Sequence, residues 1–351
     1  MLQAHMSNIR LKVLDGVAAA MYWAKVWQPY FRMRRAAGKG ALILTFHRLV
    51  DDDSHYLFKA HSVQTHVRMF EQILADISRH YRVMDLNTLV DYLCEGRPFE
   101  RDSITVVFDD GYEDNFRLGM PLCTRYGVPA ALYVATGCVA TEGGKHGALW
   151  NDRLEQALLG TRHTTLNLRD LGIEGHPSLN LKHRPDLLQA NVILGRAAKA
   201  LAPVERNDLL TRLEKLLAID PATYRRVMLT WDEVRGLARA GWEIGSHGIS
   251  HTIMTRLPFA DACDELRESK RQIEEQINRP VRHFAFPNGN AEDFSEQLAT
   301  ACQEAGYRSV ASCVTGLNMP GANPLSLRRM GITRSVPRTL LAMERHFMAA
   351  A

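Results

Sequence analysis

The sequence predicts an α/β fold built on a parallel sheet. Short apolar runs alternate with helical segments about seven times, and that order needs parallel strands joined by crossovers. Three of the runs end in special chemistry: Phe108-Asp109-Asp110-Gly111, Ser246 to His251, and Phe284 to Gly289. Asp109, His247 and Asn288 therefore all follow strand C-termini, where parallel α/β folds place their sites. An open doubly wound sheet and a closed barrel both satisfy the alternation.

Ala41 to Phe46 is the first apolar strand and ends at His47-Arg48. Gln64 to Tyr81 reads as a helix, with Val67, Phe70, Leu74 and Ile77 on one face. Arg82 to Leu86 is a short strand, and Asn87 can cap the helix that Gly96 stops. Ile104 to Phe108 is a buried strand. Asn115 to Tyr126 is helical despite Pro121, with Gly127 as its stop, and Ala130 to Ala135 is a strand. The pattern then breaks from about 137 to 227. A Gly143-Gly144 turn comes first, then a helix opened by Trp150-Asn151-Asp152 and running through Leu159. Two further helical segments follow, Leu187 to Leu201 and Val204 to Leu217. This is a mostly helical insertion between two strands, in the position of a substrate lid. Thr230-Trp231-Asp232-Glu233 is a capping box. It opens a helix that ends at Gly241, and the strand Trp242 to Gly245 follows. Asp261 to Asn278 is a helix, Arg282 to Phe286 a strand, Phe294 to Ala305 a helix and Tyr307 to Ala311 a strand. Leu325 to Ile332 is the last strand and Leu340 to Met348 a terminal helix.

Two adjacent carboxylates at the end of a buried strand are costly to desolvate unless something compensates them. A metal cation resolves the problem: one carboxylate ligates it and the other stays ionised beside it and takes a proton. Successive strand residues point to opposite faces, so both reach one site only if the chain turns, which Gly111 permits. His247 and His251 stand four apart, a spacing that lets two imidazoles converge on one cation from a single helical turn.

On these residues the chain resembles the metal-dependent polysaccharide deacetylases, homologous to the nodulation chitooligosaccharide deacetylases and classed in the fourth carbohydrate esterase family. Phe108-Asp109-Asp110-Gly111 resembles the first motif and His247 with His251 the paired metal histidines. Phe284 to Gly289 resembles the third motif, in the form seen in exopolysaccharide-locus members. The resemblance spans roughly Ala41 to Ile332 and implies an irregular seven-stranded (β/α) barrel. It implies that Asp110, His247 and His251 bind one divalent cation, most simply zinc, and that Asp109 is the general base acting on an acetamide. It departs from the family at three points. The late Leu-x-His motif that supplies the acid is missing, and His47, at the mouth of the first strand, is the preferred replacement. The arginine that orients the base falls at Ala285, leaving Arg48 or Arg329 as alternatives. The Asp-Trp pair after the third motif is missing, and Trp150 and Asp152 are candidates to line the site instead. Backbone N–H groups near Tyr112 and in the Pro287-Asn288-Gly289 turn can assist an oxyanion.

The 351 residues supply ample core. A formal net charge of +4 argues against a nucleic-acid partner. Six cysteines without a CxxC pair point to buried thiols in a reducing, cytoplasmic setting. Residues 1–40 form a separate basic segment ahead of the barrel at 41–351. Its apolar stretch Val17 to Ala24 is too short to span a bilayer. With Trp23, Trp27, Tyr30, Phe31 and the basic run Arg32 to Arg35, it is either a peripheral membrane contact or a helix packed across the barrel. Functionally, the expectation is an N-deacetylase of a polysaccharide, oligosaccharide or glycolipid. The alternatives are a metal-dependent deformylase or amidase on another substrate, and a non-catalytic glycan-binding relative.

Overall fold

The structure is a computed structural model and describes residues 38–51, 57, 63–141, 147–174 and 178–349, with 16, 19, 20 and 24. The aromatic and basic residues of the N-terminal segment, Trp23 to Arg35 among them, and the Gly143-Gly144 turn lie outside the described residues.

Seven parallel strands form the barrel: β1 (Ala41–Phe46), β2 (Ser103–Phe108), β3 (Ala130–Val134), β4 (Glu243–Ser246), β5 (His283–Ala285), β6 (Ser309–Ala311) and β7 (Arg329–Gly331). Strands β1 to β6 pair in chain order, and β7 pairs with β1. The ring is nearly closed, joined at its seam by a single bridge from Ala311 to Leu327. Of the two architectures that fit the alternation, the barrel is therefore the one formed. A short strand, Arg82–Val83, takes the lower edge of β2 beside Ser103 and Ile104; β3 takes that edge from Val106 upward.

The helices are α1 (Val67–His80), α2 (Leu86–Cys94), α3 (Met120–Tyr126), α4 (Trp150–Gly160), α5 (Arg184–Ala200), α6 (Pro203–Leu216), α7 (Trp231–Arg239), α8 (Phe259–Ile277), α9 (Glu296–Glu304) and α10 (Val336–Ala349). Strand alternation sorts the core into two faces. Leu42, Leu44, Phe46, Ile104, Val106 and Phe108 point outward and pack with helix residues such as Phe70. The Phe46 and Phe70 rings meet edge to face at 4.9 Å, and Phe108 stacks on Trp242 at 5.1 Å. Ile43, Val107, Ala131, Tyr133, Ala285 and Ala311 form a separate cluster on the inner face. The bore is narrow. A Cβ on Gly245 would stand 2.7 Å from the Tyr133 ring, so β4 gives up its side chain where β3 fills the centre.

Several elements differ from the sequence expectation for identifiable reasons. Gln64–His66 pairs with Arg48–Val50 as a short parallel ladder, and the helix starts only at Val67. Asp85, not Asn87, caps α2 by accepting from Thr88 N–H at 2.9 Å. Asn87 instead reaches across to His283 and Glu243. Residues 115–119 wind as a π-turn before α3, next to Pro121, which cannot donate to the helix ladder. The last strand is only Arg329–Gly331, because Pro324–Ser326 forms a 3₁₀ turn. The insertion contains an unpredicted antiparallel hairpin, Thr165–Asn167 with Ser178–Asn180. It packs with α4, α5 and α6 around an apolar cluster of its own.

Candidate metal and catalytic site

The site occupies the C-terminal mouth of the barrel. Inward alternation along β2 continues from Thr105 and Val107 to Asp109. The turn after it is sharper than a single glycine would give. Asp110 (φ 75°) and Gly111 (φ 95°) both adopt left-handed backbone, and Gly111 N–H donates to the Asp109 carbonyl at 2.9 Å. That pair of positive φ values brings the second carboxylate to the same mouth as the first. His251 (φ 53°) and Asn288 (φ 63°) are also left-handed. Such conformations persist outside glycine only where the surroundings impose them, and they gather at working sites.

Asp110, His247 and His251 converge, each offering a ligand atom within 4.8 Å of the other two. Asp110 Oδ1 lies 3.1 Å from His251 Nε2 and 3.4 Å from His247 Nε2. The histidines do not share a helical turn: residues 247–251 form a loop after β4. Glu265 of α8 fixes that loop, accepting from Ile249 N–H at 2.6 Å, Ser250 N–H at 3.2 Å and Ser250 Oγ at 2.8 Å.

The donor set fits a divalent cation. His247 Nδ1 lies 2.7 Å from the Ala285 carbonyl oxygen, which can only accept, so Nδ1 carries the proton. In the neutral ring the Nε2 lone pair then faces Asp110, the arrangement that a backbone acceptor imposes on metal-ligating imidazoles. Among the described residues no hydrogen bond satisfies the buried Asp110 Oδ1. Burial would push the Asp110 carboxyl up, but His251 and His247 hold it well below the usual carboxylate range. Burial would push His247 down, yet Asp110 and Asp109 raise it. The pocket therefore draws positive charge.

Asp109 is 1% exposed, and Arg329 is its counter-ion. Nη1 of Arg329 meets Oδ1 at 2.7 Å and Oδ2 at 2.9 Å. The guanidinium is itself held by Nε to the Ser312 carbonyl at 2.7 Å and by Nη2 to Cys313 Sγ at 3.3 Å. Burial pushes Asp109 up, and Arg329 with His247 and His47 more than offsets this, leaving the carboxyl below its ordinary value. Of the two arginines open from the sequence, Arg329 thus meets Asp109, entering from β7 where Ala285 leaves β5 short. Arg48 turns the other way. It lies 3.5 Å from Asp114 and 3.2 Å from Asp152, with its guanidinium 4.6 Å over the Tyr112 ring.

His47 Nε2 stands 3.8 Å from Asp109 Oδ2. Above these residues opens a cleft of about 730 Å³, walled on one side by α4 and α5 of the insertion. Tyr112, Trp150, Asp152 and Asn288 line it, whereas Pro287 and Gly289 are buried behind Asn288. The Asp152 carboxylate is engaged with Arg48 and with Leu149 N–H at 3.2 Å, so it braces the insertion against the barrel. Sequence reasoning had no signal for Glu265, which acts through backbone N–H groups, nor for Cys313.

Residues 193–310 match the polysaccharide deacetylase family, about a third of the chain. The stretch contains both histidines and the third motif, and the paired carboxylates lie ahead of it. No curated protein sequence matches the chain. Among solved structures, the Streptococcus pyogenes deacetylase PplD in complex with acetate is similar, with a TM-score of 0.56, 14% identity and coverage of 87% of this chain and 97% of that one. IcaB from Ammonifex degensii gives a TM-score of 0.55 at 14% identity, covering 88% and 98%. BC0361, a polysaccharide deacetylase from Bacillus cereus, gives 0.53 at 12% identity, covering 87% and 69%. At such identities the structures speak for the fold, and the family match speaks for the motifs. With the barrel, the Asp-Asp turn and the histidine pair, the chain is similar to the polysaccharide deacetylase family, matching its model over residues 193–310.

Proposed function

We propose that the protein is a metal-dependent N-deacetylase that hydrolyses the acetamide of an N-acetylated sugar. One observation carries this reading. A buried carboxylate, Asp109, is kept ionised by a buried arginine directly beside a second carboxylate that shares its pocket with two imidazoles. Asp110, His247 and His251 would hold the cation. Two imidazoles and one carboxylate suit zinc and leave room for water and substrate. Bound there, zinc would acidify water and polarise the acetamide carbonyl.

The remaining chemistry belongs to the chain. Asp109 accepts a proton from the attacking water, and Arg329 keeps it ionised and aimed. His47, across the mouth from Asp109, supplies the proton that the leaving amine requires. Tyr112 forms part of the cleft floor, and Asn288 and Trp150 border the space for the sugar. The ion-paired base favours catalysis over mere glycan binding, since binding needs no buried carboxylate held below its usual range.

The test is acetate release from N-acetylglucosamine oligomers by protein stripped of metal and reloaded with zinc. Zinc-dependent release supports the reading. Stoichiometric zinc binding with no release from any oligomer refutes it.

A further inference from the structure

The insertion presents a row of cations to the same cleft. Arg196 and Lys199 of α5 and Arg206 of α6 line it. Arg256, beyond the histidine loop, joins them by donating to the Lys199 carbonyl at 2.7 Å. The carboxylates lining the cleft each have a partner: Asp109 has Arg329, Asp110 the two histidines, Asp152 Arg48, and Glu155 the Leu57 N–H. The cations do not. Among the described residues none of the four forms an ion pair. Lys199 donates to the neutral Asn288 Oδ1 at 3.0 Å, and Arg206 lies 5.4 Å over the Trp150 ring. Crowding like charges without counter-ions is unfavourable, and most so where water is partly excluded. Arg206 is half-buried, and that burial together with the charge of Arg256 pushes its pKa down.

We propose that this rim binds an anionic group on the substrate, a carboxylate or a phosphate carried on the glycan beside the N-acetylated sugar, with Arg196 and Arg206 as its main contacts. Trp150, which lines the cleft beside Arg206, would contact the sugar, placing apolar and charge recognition side by side. Arginine suits either oxyanion because its planar fork matches both. The inference rests on the proposed function only in taking a glycan as substrate.

Calorimetric titration of the zinc-loaded full-length protein tests it, with ligand integrity checked afterwards. Three tetrasaccharides serve as probes: a neutral N-acetylglucosamine tetramer, an oligomer alternating N-acetylglucosamine with glucuronic acid, and the neutral tetramer carrying a terminal phosphate. At low salt, at least one anionic probe should bind roughly tenfold more tightly than the neutral one, and which of the two does so identifies the source of the charge. That preference should shrink below about twofold in R196Q/R206Q and in high salt. Equal affinity for all three probes, a preference that survives both the double variant and high salt, or binding of none of them overturns the proposal. The salt series on the unmodified protein keeps the test valid if the variant does not fold. Acetate release from the neutral tetramer is measured separately, so the deacetylase reading and the anion rim can fail independently.

Discussion

Replacing Arg329 with methionine tests the centre of the site. Methionine keeps most of the buried volume and removes the charge. Both Arg329 and Asp109 are about 1% exposed, so the carboxylate would be left ionised and unpaired away from water. Breaking one side of a buried pair typically costs about 3–5 kcal/mol. In a chain of 351 residues each kcal/mol shifts the melting midpoint by only roughly 1.4 °C, so a fall of about 4–7 °C is expected by calorimetry or circular dichroism. The carboxyl would escape part of that cost by taking a proton, and its pKa would rise. Acetate release at neutral pH should therefore fall by at least about 10²-fold, with activity recovering as pH increases. The double variant R329M/D109N carries the decisive comparison. With the charge also gone, the two substitutions should couple favourably by about 1–3 kcal/mol. An R329M protein within about 0.5 kcal/mol of the parent, or strictly additive effects in the double variant, would refute the assignment of Arg329 as the partner of the base.

Other perturbations probe the surroundings. His47→Gln should lower kcat about 10²–10⁴-fold with zinc stoichiometry unchanged; near-parental kcat removes His47 as the acid. Glu265→Ala, which frees the histidine loop, should weaken zinc binding about 10–100-fold in a chelator competition, and unchanged affinity would show that the loop holds itself. Burial raises Asp114 to about 7 despite Arg48. The folded state therefore keeps a proton that the unfolded chain loses near 3.8, and this group makes stability fall as pH rises between those values. Asp114→Asn should flatten that slope relative to the parent in denaturant titrations from pH 4 to 8; parallel curves would exclude the effect. Chelator treatment should lower the melting midpoint and abolish acetate release, and zinc should restore both.

What the sequence disclosed and what it hid follow from the range of the interactions involved. The apolar runs ending at Phe108, Gly245 and Phe286 are local signals, and they marked barrel strands and the positions of Asp109, His247 and Asn288. Helix ends governed by neighbouring residues were readable too: Thr230 and Glu233 form the reciprocal cap, and Gly127 ends α3 with φ 62°. The partner of Asp109 was not readable, because Arg329 is distant along the chain and only strand register brings it in. Arg48, closer in sequence, was equally eligible until Asp114 and Asp152 claimed it. The loop geometry of His247 and His251 escaped for another reason. A spacing of four is shared by helices and by loops with positive φ, and nothing between Gly248 and Ser250 distinguishes them without Glu265. Asp85 took the cap expected of Asn87 because both are good caps, and His283 and Glu243 gave Asn87 another use.

The seam of the barrel has a consequence for how the protein is made. Strand β7 is the last to be synthesised, and it is also the strand that lies against β1 and delivers Arg329 to Asp109. A chain emerging from the ribosome carries both carboxylates and both histidines well before it carries the arginine that pairs with Asp109. Closing the ring and pairing Asp109 with Arg329 are then one event, so an unfinished or unzipped molecule holds Asp109 without the guanidinium that orients it.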